Sequence, residues 1–276
     1  MLKINNIYQG DCLDVIKEID DMIIDLTVTS PPYDNLRTYD GYSFNFEGIA
    51  KELFRITKSG GVVVWVVGDV TKEGDETGTP FKQALFFKEC GFKLHDTMIY
   101  LKDSSPYPSI NRYRQIWEYM FVFVRDNIKT FNPIKRRNLY RNLSRNSYRQ
   151  RTGETIFKTV QSLKEGIAFN VWQYETGFMK TSKDKISFKH PATFPEKLAE
   201  DHILSWSNKG DLVLDPFMGS GTTAKMAKLN NRNYIGIELN PEYIEIANKR
   251  IANTHVNRDI FETLISGEDK ENESTD

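Results

Sequence analysis

An α/β fold, with an open, mostly parallel sheet and helices on both faces, is predicted by three features of this 276-residue chain. Strand-like and helix-like patterns alternate along most of it, which in a compact domain implies crossover connections and parallel strands. Two of the strand patterns end in turns rich in proline or glycine, TSPPY from Thr29 and DPFMGSGTT from Asp215. Ligands of such sheets bind at that carboxyl edge. A hydrophobic content of 39% at this length suffices for one large domain or for a domain carrying a smaller insertion.

The elements follow from periodicity. IDLTVTS, from Ile24, reads as a short strand. FEGIAKELFRIT puts Phe46, Ile49, Ala50, Leu53 and Phe54 on one helical stripe. KSGG is expected to close that helix, and VVVWVV from Val62 to form a fully buried parallel strand. PFKQALFFKEC predicts another helix, and KLHDTMIYLK and YMFVFVRD two extended segments. Further on, PEKLAEDHILSWS predicts a helix with Pro195 in its first turn, and LVLDPF from Leu212 a strand. The glycine loop MGSGTT leads into a helix at AKMAKLN, then a strand at YIGIEL and a last helix at PEYIEIANKRI. No internal repeat is visible.

Composition narrows the function classes. The longest apolar runs are far too short to span a bilayer and the first residues lack the apolar core of a signal peptide, so a soluble, cytoplasmic protein is expected. Cys12 and Cys90 have no paired spacing, and His95, His190, His202 and His255 no ligand-like spacing, so no structural metal is expected. The net charge of −1 conceals an asymmetry. Asn127 to Lys189 holds 14 Lys and Arg against 4 Asp and Glu, a net +10, leaving −11 for the remainder. IKRRNLYRNLSRNSYRQR within it interleaves arginines with Tyr140, Tyr148 and asparagines, a mixture suited to phosphates and base edges. A solvated loop is the plainer reading. The segment is internal, arginine-rich and flanked by well-patterned elements, which favours nucleic-acid contact. The end, SGEDKENESTD, reads as a disordered acidic tail.

In DPFMGSGTT a strand ends in an acid, and Gly219 and Gly221 flank Ser220 before a helix, so backbone can approach a ligand closely. The GxxxxGK[ST] spacing of a phosphate loop is absent. Glu238, ending the next strand, is placed to accept both ribose hydroxyls of an adenosine-containing cofactor; alternatively it is only a charge near the start of the last helix. In TSPPY, prolines could merely end a strand for want of a ladder donor. The same turn could hold a flat polar substrate against Tyr33.

TSPPY followed by DPFMGSGTT, with a basic segment between, resembles the amino-group DNA methyltransferases of the β arrangement, in which the catalytic motif precedes the cofactor loop. The resemblance covers nearly the whole chain. It implies a Rossmann-like, S-adenosylmethionine-dependent methyltransferase fold with permuted motif order and a small basic recognition insertion. Residues 1–126 would be the catalytic half, 127–189 the target-recognition region, 190–264 the cofactor-binding half and 265–276 the tail. In that family GDCLDVIKEI, from Gly10, lies over the cofactor adenine, with Asp11 matching its amino group. HPATFPEKL resembles the segment leading into the first cofactor helix, and WEYMFVFV the strand walling the target-base pocket. The cofactor set implied is Asp11, Asp215, Phe217, Gly219, Ser220, Gly221, Thr222 and Glu238; the DNA-binding set is Arg136, Arg137, Arg141, Arg145 and Arg149.

The catalytic set implied is Ser30, Pro31, Pro32 and Tyr33. An exocyclic amine is a poor nucleophile because its lone pair is delocalised into the ring. The Ser30 hydroxyl and Pro31 carbonyl can accept its two N–H hydrogens, Pro32 stiffens the turn, and Tyr33 stacks on a base flipped out of duplex DNA. Ser before the two prolines is, in the family, the usual mark of cytosine N4 enzymes, Asp or Asn that of adenine N6 enzymes. N4-cytosine methylation of double-stranded DNA is therefore expected, with N6-adenine as the alternative. RNA or protein-glutamine methylation and a non-catalytic binding module are more remote. A homodimer and a cognate restriction endonuclease sharing the site are the further partners considered; the recognition sequence is illegible.

Overall fold

The computed structural model describes residues 2–32, 44–103, 111–137, 143–161 and 165–254. Tyr33, Tyr140, Arg141, His255 and the acidic tail lie outside them, as do the side chains of Arg137 and Arg145. The chain begins with β1 (Asn6–Gln9), α1 (Cys12–Ile16), β2 (Ile24–Thr29), α2 (Phe46–Ile56) and β3 (Thr57–Val67). A minimal hairpin, β4 (Thr71–Lys72) and β5 (Asp75–Glu76), precedes α3 (Thr79–Glu89), β6 (Lys93–Lys102) and β7 (Trp117–Val124). After β8 (Lys135–Arg137), β9 (Leu143–Arg149), β10 (Thr155–Gln161), β11 (Glu165–Ile167) and β12 (Val171–Tyr174) come α4 (Glu196–Trp206), β13 (Leu212–Asp215), α5 (Thr222–Leu229), β14 (Asn233–Glu238) and α6 (Pro241–Ala252).

Among the described residues, eight strands form one sheet in the order β1-β14-β13-β2-β3-β7-β6-β12. Seven of these run one way and β7 opposes them. One face packs Val28, Val64, Val66 and Val122 against Leu198, Ile203, Trp206 and Ala224 of α4 and α5. The other packs Val63, Trp65 and Leu214 against Ile16, Ile49, Leu53 and Phe87 of α1, α2 and α3. The expected open, mostly parallel α/β sheet is what forms.

Three local expectations change. KSGG does not close α2: the helix already ends at Thr57, whose N–H and hydroxyl both donate to the Leu53 carbonyl (hydroxyl 2.6 Å). Gly60 and Gly61 instead lie inside β3, exchanging backbone bonds with Arg125. β3 is parallel to β2 but antiparallel to β7, so it is buried without being wholly parallel. Pro195 is the N-cap of α4, one residue before its first turn. The segment 127–189 contributes strands of two kinds. β9 pairs with β10 and β8 with β11 in two small ribbons, whereas β12 joins the main sheet beside β6.

His202 is fully buried, and burial pulls its pKa down to about 3, so the ring is neutral; its Nδ1 accepts from Trp206 Nε1 at 3.2 Å. It is a packing residue.

Gly221 N-caps α5 at φ +82°, and a Cβ there would lie 2.6 Å from Ala247 Cβ of α6. Gly221→Ala should cost about 2–4 kcal/mol, combining left-handed backbone strain and overpacking. Gly210→Ala, with φ +88° and nothing within 4 Å, should cost only the backbone part, about 1–2 kcal/mol. Urea unfolding of the two variants checks the difference.

Candidate active site

The strand order turns back on itself between β13 and β2: β13 leads through α5 to β14 on one side, β2 through α2 to β3 on the other. A crevice opens at the carboxyl edge of such a switch point, where ligands of this architecture bind. Here it is a cleft of about 950 Å³, lined among others by Asp11, Ser30, Pro31, Pro32, Glu118, His190, Phe217, Gly219 and Glu238. The two motifs read from the sequence therefore meet.

They are joined directly. The Thr29 hydroxyl, at the end of β2, donates to Asp215 Oδ1 at 2.7 Å, and both residues are buried. The Phe217 N–H donates to the same oxygen at 3.1 Å, and the Thr223 hydroxyl reaches back to the Val28 carbonyl at 3.2 Å. Burial raises the Asp215 pKa to about 6; the hydrogen bonds from Thr29 and Phe217 oppose the rise and nearby Glu238 adds to it.

Glu238 ends β14 with its carboxylate held at both oxygens. Oε2 accepts from Gly219 N at 2.8 Å and Oε1 from Asn240 N at 2.8 Å. Burial raises its pKa, against these bonds. The helix α6 is capped by Asn240, not by Glu238. Asp11 caps α1, accepting from Leu13 N at 2.7 Å, while lining the cleft. Gly219 has φ +51°, and a Cβ there would meet His190 Nε2 at 3.0 Å. His190 lines the cleft, its ring against Tyr243 at 4.4 Å. Gly221 does not line the cleft; its missing side chain makes room for α6.

Beneath the glycine loop lies a group that sequence reading missed. The Arg250 guanidinium, fully buried, donates to Ser220 O (2.5 Å), Ser220 Oγ (2.9 Å) and Thr222 Oγ1 (3.2 Å). Its other nitrogens pair with Asp184 (3.0 Å) and Glu196 (2.7 Å), which Lys225 also bonds at 2.8 and 2.7 Å. Burial would raise both carboxyls; Lys225 and Arg250 outweigh it and hold them low. A signal existed: Arg250 falls on the buried stripe of α6 with Ile246, Ala247 and Ile251.

Across the cleft, Lys102 Nζ bonds Glu118 Oε1 at 2.5 Å. Of the expected DNA-binding residues, Arg136 and Arg149 do not line the crevice. Arg136, on β8, stacks over Phe169 at 3.8 Å, and Arg149 closes the β9–β10 ribbon with Tyr148, Ile156 and Phe157 exposed beside it.

A nucleoside-binding α/β enzyme is the class this fold and cleft define. Comparison with known proteins gives the family. Residues 24–249 match the N6/N4 DNA methylase family model, and the chain belongs to that family. It is 60% identical over 243 residues to the orphan methyltransferase M.BamHII of Bacillus amyloliquefaciens, covering 86% of this chain and 92% of that one. In fold it is similar to the PvuII DNA methyltransferase, cytosine-N4-specific (TM-score 0.67, 22% identity, 95% of this chain and 93% of that one). It is also similar to a DNA modification methylase of Thermus thermophilus complexed with S-adenosyl-L-methionine (TM-score 0.58, 25% identity, 89% and 94%). The chain is an S-adenosylmethionine-dependent DNA methyltransferase of the amino-group type.

The cleft fits that cofactor electrostatically. Asp11, Asp215 and Glu238 line it, while Lys102, the one lysine among the described residues of its lining, is paired with Glu118. Such a lining repels phosphate and suits a cationic, hydroxyl-bearing nucleoside.

Because the folded-state pKa of Asp215, about 6, lies above the unfolded value of about 3.9, the folded protein holds more protons between about pH 4 and pH 6. The stabilisation is complete below that window and is lost as pH rises through it, by roughly 1.4 kcal/mol for each pH unit crossed. Asp215→Asn keeps an acceptor for Thr29 and should flatten this slope, measured by urea unfolding at successive pH values.

Proposed function

We propose that this enzyme methylates the exocyclic N4 of a cytosine flipped out of duplex DNA. The observation that carries the reading is Ser30, which follows β2 directly, lines the cleft, and stands where an acidic or amide side chain would favour adenine N6. Ser30 and the Pro31 carbonyl would accept the two amine hydrogens, localising the nitrogen lone pair. Pro32 would hold the turn rigid. Tyr33 is proposed to stack on the base, offsetting part of the few kcal/mol that flipping costs.

Asp11, Phe217, Gly219, Ser220, Thr222 and Glu238 would hold the cofactor, with Asp215 and Gly221 shaping the loop from beneath. When bound, S-adenosylmethionine supplies an electrophilic methyl group on a sulfonium. The protein needs no strong base, since the amine proton becomes acidic once nitrogen is alkylated.

Arg136, Arg137, Arg145 and Arg149 of the β8–β11 ribbons, together with Arg141, are proposed to contact DNA; the ribbons' exposed aromatic and aliphatic side chains support a surface that meets bases as well as phosphates. The name of the 60%-identical relative, an orphan methyltransferase, supports an enzyme working without a paired endonuclease.

Nucleoside digestion of DNA methylated by the enzyme should yield N4-methylcytosine; N6-methyladenine alone would refute the cytosine assignment. Ser30→Ala should lower kcat about tenfold with calorimetric affinity for S-adenosylmethionine nearly unchanged, the lost bond being worth about 1–2 kcal/mol. Log affinity for duplex DNA should fall linearly with log salt, and Arg136→Ala or Arg149→Ala should reduce the slope by about 0.9 per phosphate lost. A salt-insensitive complex would leave the ribbons as solvated loops.

A further inference from the structure

One apolar face of the sheet ends at the cleft in a staggered group of residues of a different character. Two residues beyond Val28, Val66 and Tyr100, and two before Met120 on the opposed strand β7, stand Ser30, Gly68, Lys102 and Glu118. Gly68 lies just past β3, the strand between β2 and β7. A Cβ there would meet Glu118 Cγ at 3.4 Å and Oε1 at 3.8 Å, so the carboxylate of Glu118 lies over the end of β3, beside the strand that carries Ser30. Glu118 draws Lys102 in the same direction: the ammonium bonds Oε1 at 2.5 Å and passes 5.7 Å from the Tyr100 ring centroid. The two side chains are only 31% and 13% exposed, and both line the cleft with Ser30. The proposed base pocket thus has acceptors on its Ser30 wall and an oriented cation on its Glu118 wall.

An ammonium only donates. A base whose amine sits on Ser30 can turn the other end of its pairing edge to that cation. In cytosine that end carries the carbonyl oxygen O2; in adenine the corresponding ring position, C2, is a C–H. On the N4-cytosine reading above, we infer that Lys102, oriented by Glu118, donates a hydrogen bond to O2 of the target cytosine and thereby selects cytosine over adenine. O2 lies at the other end of the pairing edge, two ring atoms from the amine-bearing C4, so the contact fixes the base without engaging the nitrogen that reacts. A site built to bond a substrate group rejects the analogue lacking it, because the buried partner is left unsatisfied. Lys102 contacts the base; Glu118 is a positioning residue.

The test pairs protein and base changes in the full-length enzyme on its recognition duplex, with cytosine or 2-thiocytosine at the target. Wild type should lose roughly tenfold in kcat/KM on the poorer sulfur acceptor. Lys102→Met should lose a similar factor on cytosine and nothing further on 2-thiocytosine, with affinity for S-adenosylmethionine unchanged. Lys102→Arg should recover part of the loss, and Glu118→Gln should show a cytosine-to-2-thiocytosine ratio between wild type and Lys102→Met. A wild-type enzyme indifferent to sulfur overturns the contact without any variant. So does a Lys102→Met enzyme that keeps the wild-type ratio, since a merely structural lysine would slow both substrates alike. Failure of the cytosine reading is seen separately, as N6-methyladenine in the wild-type product.

Discussion

The hydrogen bond from the Thr29 hydroxyl to Asp215, 2.7 Å long and buried, crosses the point where the sheet reverses its winding, and both halves of the cleft are indexed to it. Its donor immediately precedes Ser30; its acceptor immediately precedes the turn into the glycine loop. These residues are separated by 186 positions in sequence, yet adjacent strands place them side by side. A buried carboxylate is costly unless bonded, so the pairing also penalises any register in which β2 and β13 slip. That is why permuted motif order is tolerated. The site depends on which strand ends are neighbours, and order along the chain only changes how they are connected.

The glycine loop needs support from below as well. Arg250 and Lys225, both buried, face the partly exposed Asp184 and the half-buried Glu196 in a set of two cations and two anions, and Arg250 reaches through it to Ser220 and Thr222. Such a set contributes little net stability relative to apolar packing, but removing Glu196 from beneath the fully buried Arg250 leaves a poorly compensated charge, at a cost of up to about 3–5 kcal/mol. Its effect is geometric: α4, α5, α6 and the segment around Asp184 are tied to one another under a loop whose own backbone is left-handed at Gly219 and Gly221.

Much of this was legible in sequence because period and position carry it. Buried strands such as Val62 to Val67 read as apolar runs, and the amphipathic stripe of α2 as a helix, since neither depends on distant residues. The two turns were legible because proline and glycine restrict or release the backbone locally. What escaped was decided by tertiary partners. Gly60 and Gly61 look like a helix stop, yet Thr57 had already taken the Leu53 carbonyl and the glycines pair with Arg125. The pattern GSG suggests a close ligand approach at both glycines, but it cannot show that the missing side chain of Gly221 also admits Ala247 of a helix that begins twenty residues later. β12 hid inside a basic stretch because a four-residue edge strand has too little pattern to announce itself.

A chain of net charge −1 that acts on a polyanion must separate its charges in space. At about 0.1 M salt, exposed charges more than about 10 Å apart are screened from one another, so local charge governs each surface and the total governs neither. The acidic residues Asp11, Asp215 and Glu238 gather at one end of the cleft, where a sulfonium is favoured and phosphate is not. The excess arginine and lysine gather in the ribbons proposed to meet DNA. Between them, Lys102 and Glu118 neutralise each other and leave a directional donor in place of a field. A free cation at that position would draw phosphate into the proposed base pocket; paired, it could discriminate one base edge from another, as inferred above, while remaining indifferent to the backbone outside.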